Sequence, residues 1–256
     1  MPTIAVLSMK GGVGKTTVTL GLASAAWKRN WRALVIDLDP QANASIGLGV
    51  ESPTITVGDV LSDSRPGIAQ EAITATTWGD HVTVVPSDAS LERCSHQAGP
   101  LATQRLRIAL ASIPRQQDVV LIDCPPSLGE ITRNALHVAT IALVVTEPGF
   151  FALRGAQQAL EAIDTIRRTT NPALTRSVLL VNRTRMTVAE HRQRVQELEE
   201  FYGNLVSPTR IPERNAIPQS EAAGMPIHAW ESPAGTELAN LFDTLLDDLV
   251  PGGSRG

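Results

Sequence analysis

Residues Thr3 to Thr17 read TIAVLSMKGGVGKTT. A short β-branched and apolar run is followed by a glycine-rich loop. The loop runs into Thr16–Arg29, where Val18, Leu22, Ala25 and Ala26 recur near helical spacing. Strand, glycine loop and helix in this order make a nest for an anion. Glycines let the backbone curl so that successive N–H groups face inward, and the positive end of the helix dipole adds to them. Gly14-Lys15-Thr16 completes a variant of the G-x-x-x-x-G-K-[ST] pattern, with no glycine at its first position. In that pattern the lysine reaches the β- and γ-phosphates of a nucleotide, and the hydroxyl ligates Mg2+. The residue types thus predict a nucleoside triphosphate and Mg2+ as ligands.

Working outward, five more strand-length runs follow: Ala33–Asp37, His81–Pro86, Asp118–Asp123, Ile141–Thr146 and Ser177–Asn182. None alternates cleanly with polar residues, as expected for strands covered on both faces. Helical patterns fall between and after them, at Leu101–Ile113, Glu130–Val138, Ala152–Arg168, Val188–Phe201 and Gly235–Leu249. The alternation predicts an α/β fold, a doubly wound and mostly parallel central sheet flanked by helices. Residues 51–80, with Pro53, Pro66 and Gly67, read as an insertion with short helices. No interior linker stands out, so residues 1–250 are expected to form one domain and 251–256 a disordered tail.

Two acidic stations follow the loop. Val35–Gln41 reads VIDLDPQ, which sets Asp37 and Asp39 on the same side of an extended chain. Val119–Leu128 reads VVLIDCPPSL, an apolar strand ending in Asp123. In a parallel sheet the C-terminal ends of strands lie beside the phosphate loop. Carboxylates there can serve a Mg2+ water shell and align a nucleophilic water.

Composition sets the limits. The chain has 256 residues and a formal net charge of −4, with 43% hydrophobic and 19% charged residues. Such a chain can bury a large core and is not globally disordered. Cys94 and Cys124 make no disulfide framework, and Cys124 reads as a small packing residue. No apolar run reaches spanning length, and the N-terminus lacks the pattern of a signal peptide, so a cytoplasmic protein is expected. Only 3 of the 22 basic residues are lysines, and two of these, Lys10 and Lys15, flank the glycines.

The run Lys10-Gly-Gly-Val-Gly-Lys-Thr16 resembles the deviant Walker A signature of ParA/MinD-class ATPases, K-G-G-x-G-K-[ST]. Asp37-Leu-Asp-Pro-Gln41 is similar to their D-x-D-P-Q motif, and Ile122–Gly129 with Asn134-Ala135-Leu136 to their second switch. Weaker similarities at Phe150–Gly155, Asn182, Thr209–Pro212, Gly224–Ile227 and Ser232–Gly235 carry the resemblance to about Leu249. It implies that Gly11, Gly12, Val13, Gly14, Lys15, Thr16 and Thr17 bind ATP, with Lys10 reaching across a dimer to the partner's nucleotide. It also implies that Asp39 is needed for hydrolysis, that Thr16, Asp37 and Asp123 serve the metal, and that Asn182 and Pro212 flank the adenine. The implied activity is that of a short-form partition ATPase. Such a protein forms a nucleotide-dependent homodimer, binds double-stranded DNA non-specifically on the nucleoid, and is stimulated by a ParB-like partner.

Three points remain open in the sequence. From Arg176 to Gln196, five arginines (Arg176, Arg183, Arg185, Arg192, Arg194) face one acid, Glu190. This local excess suits sequence-independent phosphate contacts, and it also suits a solvated helix face. The family often carries a DNA-contacting arginine where this chain has Ala216, and Arg214 is the candidate to replace it. A MinD-like platform on a membrane is the alternative. The last helix, with Glu237, Asp243, Asp247 and Asp248, lacks the basic face that anionic lipid attracts. An iron–sulfur reductase is disfavoured, because Glu130 stands where that branch has its bridging cysteine.

Overall fold

The structure is a computed structural model that describes residues 1–63, 65–94, 102–111 and 116–252. Eight strands form one sheet: β1 Thr3–Leu7, β2 Ala33–Asp37, β3 Thr74–Ala75, β4 Val82–Val85, β5 Val119–Asp123, β6 Ile141–Thr146, β7 Arg176–Thr184 and β8 Val206–Pro212. Their spatial order is β3-β4-β2-β5-β1-β6-β7-β8. Every pairing is parallel except β3 with β4. The first strand therefore lies mid-sheet, and the strand order reverses on either side of it. This is the doubly wound arrangement that the alternation of elements predicts.

Among the described residues the helices are α1 Lys15–Lys28, α2 Asn43–Gly47, α3 Val57–Asp63, α4 Ile68–Ala72, α5 Leu91–Cys94, α6 Arg105–Leu110, α7 Glu130–Val138, α8 Ala152–Thr169, α9 Ala189–Tyr202, α10 Ala216–Ala222 and α11 Pro233–Leu249. β1, β2, β5 and β6 are buried along their whole length. Their alternate side chains feed two cores, one on each face of the sheet. One holds Leu7, Ile36, Ile122 and Val144 against α3, α7 and α8; the other holds Val6, Val35, Leu121 and Val145 against α1 and α11.

Two strands depart from the sequence reading. The segment Thr209–Pro212, taken there only for its base-flanking residues, is the end of β8. Pro208 and Pro212 argue against a strand, but β8 is the sheet edge, where a missing N–H costs no ladder bond. β3 is a two-residue antiparallel pairing inside the irregular segment. The short helices expected across 51–80 are α3 and α4. Leu101 and residues 112–113 of the helical pattern Leu101–Ile113, and 253–256 of the expected tail, lie outside the described residues.

The helix that opens at the glycine loop is held from behind by the last helix. A Cβ on Gly21 of α1 would lie 2.3 Å from the ring of Phe242 on α11. Phe242 is fully buried there, so the ring occupies a notch that only glycine leaves. Ser24 Oγ, also on α1, accepts from the His228 amide at 3.1 Å and meets His228 Nδ1 at 2.7 Å. Arg29 closes the far end of α1 with ion pairs to Asp243 and Asp247 of α11. Gly21→Ala should destabilise the protein by about 1–3 kcal/mol through overpacking. In a Phe242→Leu background the same change should cost measurably less, as urea unfolding of the double-mutant cycle will show.

Candidate nucleotide site

The parallel sheet sets the C-terminal ends of β1, β2, β5, β6, β7 and β8 in one row, and the predicted nucleotide residues lie along it. β1 runs directly into the glycine loop. Gly14 has φ +86, and a Cβ there would fall 2.3 Å from Asn182 Nδ2, so two independent constraints demand glycine. Lys15 is buried in the loop (6% exposed), whereas the Lys10 side chain is 63% exposed and ion-paired to Glu147 at the end of β6. The two lysines of the loop thus have different surroundings.

Asp37 and Asp123 stand opposite each other in the β2–β5 register, both fully buried. Hydroxyls from α1 hold Asp123: Thr16 Oγ1 donates to Oδ2 at 2.7 Å and Thr19 Oγ1 to Oδ1 at 3.0 Å. Asp37 Oδ2 accepts from the Ser45 amide at 2.8 Å and the Ser45 hydroxyl at 2.7 Å. Its Oδ1 accepts from the Asp39 amide at 3.0 Å. Burial is the largest influence on both groups and pushes both above the ordinary carboxylate range. The charge of Asp37 raises Asp123 further, and its hydroxyl donors and Lys15 oppose the shift. Two desolvated carboxylates beside a hydroxyl suit a hard divalent cation, whose charge offsets the cost of ionising them together. Asp39, nearly buried, accepts from the Gln41 amide at 3.0 Å. It faces a cavity of about 270 Å3 shared with Pro125, Pro126 and Ser127 of the second switch.

Asn182 ends its buried course on β7 with Nδ2 donating to the Val13 carbonyl at 2.7 Å. Its Oδ1 is buried and has no hydrogen-bond partner among the described residues. Pro212 stands opposite Thr184 in the β7–β8 register, at the end of the neighbouring strand. Thr17 Oγ1 donates to Glu221 of α10 at 3.0 Å. A second cavity of about 400 Å3 opens next to the loop, lined by Lys10, Glu147, Phe150, Phe151, Arg154 and Gly155. Phe150 and Phe151 are 73% and 65% exposed and meet edge to face.

A protein-family model described as an AAA domain matches residues 1–176. The chromosome partitioning protein ParA of Caulobacter vibrioides is 34% identical over 236 residues, covering 89% of this chain and 86% of that protein. The chain belongs to the ParA family of P-loop ATPases. Two solved structures share the fold. Cobyrinic acid a,c-diamide synthase from Mycobacterium smegmatis, with bound ADP and magnesium, has a TM-score of 0.78 at 27% identity, covering 98% of this chain and 96% of that one. Apo McdA from Cyanothece has a TM-score of 0.83 at 22% identity, covering 96% of this chain and 99% of that one.

The arginines of the basic run are not one surface. Arg176 begins β7, at the opposite end of the sheet from the loop, and is ion-paired to Asp248 of α11. Grouping it with the others is corrected on that ground. Arg185, Arg192, Arg194 and Arg214 lie toward the loop end, on β8's neighbouring turns and α9. Each has an acceptor: Glu213 for Arg185, the Met186 carbonyl for Arg192, Glu197 for Arg194 and Glu237 for Arg214. Arg183 turns toward the glycine loop, where its Nη1 donates to the Gly12 carbonyl at 2.6 Å.

Sequence reasoning missed Thr19 and Ser45, the hydroxyls that hold the two carboxylates. Thr19 lies three residues beyond Thr16 on α1, a spacing that signals a shared face. Ser45 carries no such signal. It serves twice, since its Oγ also accepts from the Ser87 amide at 3.0 Å. Ser45→Ala strips a donor from Asp37 and orphans that amide. The expected cost is about 1–3 kcal/mol in urea unfolding. An unchanged midpoint would show that Asp37 does not depend on this hydroxyl.

Proposed function

We propose that this ATPase works as a partition switch. It closes as a dimer over ATP, holds DNA without sequence preference in that state, and releases it after hydrolysis. The carrying observation is the contrast between its two loop lysines. Lys15 is buried where the phosphates of its own nucleotide would lie. Lys10 projects outward beside the exposed Phe150–Phe151 pair, with Glu147 as its counterion. A cation so placed is poised to meet a second protomer's phosphates rather than its own chain's.

The residues fit the groups that such a switch needs. Mg2+ would be held through Thr16 and Asp123, with Asp37 behind them, and supplies charge to the transferring phosphoryl group. The unpartnered Oδ1 of Asn182 is an acceptor, which matches the exocyclic amino group of adenine and repels the carbonyl of guanine. Asp39 is positioned to orient a water for in-line attack, and its cavity against the second switch leaves room for one. When the γ-phosphate leaves, the contacts that hold both loops are lost. A ParB-like partner is the expected source of stimulation.

For DNA the candidates are Arg185, Arg192, Arg194 and Arg214. Glutamates pair with Arg185, Arg194 and Arg214 in the single chain, so phosphate contact there requires exchange of glutamate for phosphate, whereas Arg192 donates to the Met186 carbonyl. α11 offers no lipid-facing surface. Its apolar side is buried in the core, and Asp243, Asp247 and Asp248 pair with Arg29 and Arg176.

The test is DNA retention by the purified protein with ATP, ADP or no nucleotide across a salt series. Wild type should be retained only with ATP and should fall off steeply with salt. Asp39→Ala should stay bound and Lys10→Ala should not bind. Arg185→Ala should lower the salt slope by about one. No retention in any nucleotide state would remove the DNA platform. Full retention by Lys10→Ala would remove the cross-dimer lysine.

A further inference from the structure

β7 does something beyond supplying a base contact. Its last residues clasp the phosphate loop. Asn182 donates to the Val13 carbonyl at 2.7 Å and Arg183 to the Gly12 carbonyl at 2.6 Å. Consecutive side chains on a regular strand point to opposite faces, so two neighbours cannot both reach one loop. The backbone here is not regular. Arg183 has φ +54, a left-handed conformation that is uncommon for any residue but glycine. The β7–β8 register also slips between Val181 and Thr184, on either side of it. Such a bulge re-aims a side chain, and bulges of this kind concentrate next to working sites.

The consequence for the loop follows from peptide geometry. In a trans peptide the C=O and the next N–H point in opposite directions. Pulling the Gly12 carbonyl toward Arg183 turns the Val13 amide the other way, and pulling the Val13 carbonyl toward Asn182 does the same for Gly14. Neither amide donates to a backbone carbonyl among the described residues. Both are thus left facing the cradle. Burial fixes Asn182, whereas Arg183 is exposed and lies within the field of Glu213 and Glu221.

We propose that Arg183 is a positioning residue of the nucleotide site: from a bulge at the end of β7 it holds the Gly12 carbonyl outward and so presets the loop amides for phosphate. This places Arg183 with the ATP machinery rather than with the DNA-facing arginines. It rests on the reading of residues 11–17 as the phosphate cradle. A preset loop strengthens phosphate binding in ground and transition states alike, so its loss appears mainly in KM.

The experiment measures steady-state ATP hydrolysis, binding of a fluorescent ATP analogue, and DNA retention for Arg183→Ala, Arg183→Gly and Arg183→Lys. The Ala variant should raise KM and the analogue's Kd by about tenfold, the scale of one charge-assisted hydrogen bond. kcat at saturating ATP should fall by no more than about twofold, as uniform binding requires. Lys, which keeps a cationic donor, should recover part of the loss. Gly, which relieves the left-handed backbone, should melt no lower than Ala yet bind ATP no better. DNA retention at saturating ATP should match wild type. Unchanged KM and Kd in the Ala variant would overturn the proposal, and so would lost DNA retention with intact ATP affinity. Failure of the wild type to bind the analogue would instead overturn the cradle itself.

Discussion

The carboxylate of Asp123 ties the molecule together. It is fully buried at the end of β5, held by two hydroxyls from α1, and directly opposite Asp37 on β2. A pair of carboxylates in that setting is unfavourable by itself. Burial raises both, and each charge works against the other. The fold accepts this by surrounding them with donors: Thr16 and Thr19 for one, Ser45 and the Asp39 amide for the other. These donors belong to the phosphate-loop helix and to the first switch. The strain of the acidic pair is therefore spread into the elements that meet nucleotide.

Much of this was legible in the sequence. Glycine spacing, strand-terminal acids and the run of β-branched segments each have one economical structural meaning, and together they fix a parallel sheet with its chemistry on one edge. What escaped were features that depend on register. Arg176 and Arg183 are neighbours in a list of arginines, but seven residues of extended chain separate them by about 23 Å. They end at opposite rims of the sheet. Asn182 could be read as a base contact from its type and place. That its amide nitrogen already donates to Val13 while its oxygen has no partner among the described residues needs coordinates. Ser45 and Thr19 are ordinary residues in ordinary surroundings until a buried carboxylate is seen against them.

The arginine-rich half shows why local charge is a poor guide to surface potential. Arg185, Arg194 and Arg214 each meet a glutamate that lies elsewhere in the sequence or a turn away on the same helix. The Arg185 and Arg214 pairs are exposed and worth little, so they can be exchanged at small cost, whereas the Arg194 pair is partly buried. The same residues can be quiet in a single chain and available to a polyanion that brings many phosphates at once. Lys10 and Glu147 follow the same logic on the other side of the loop.

The position of β1 has a consequence for how the chain is made. The first strand synthesised becomes an inner strand of the sheet, with Thr3 opposite Val120 and Ile4 opposite Ile141. This buried strand has neither of its neighbours until β5 has been made, and lacks the second until β6 follows. α1 waits longer still, because the ring that fills the notch at Gly21 belongs to the last helix. The nascent protein thus carries its phosphate loop well before α11, the helix that backs α1, has been made. The loop and the contacts that seat it are thus far apart in the order of synthesis, and β1 is an apolar strand without neighbours in the incomplete chain.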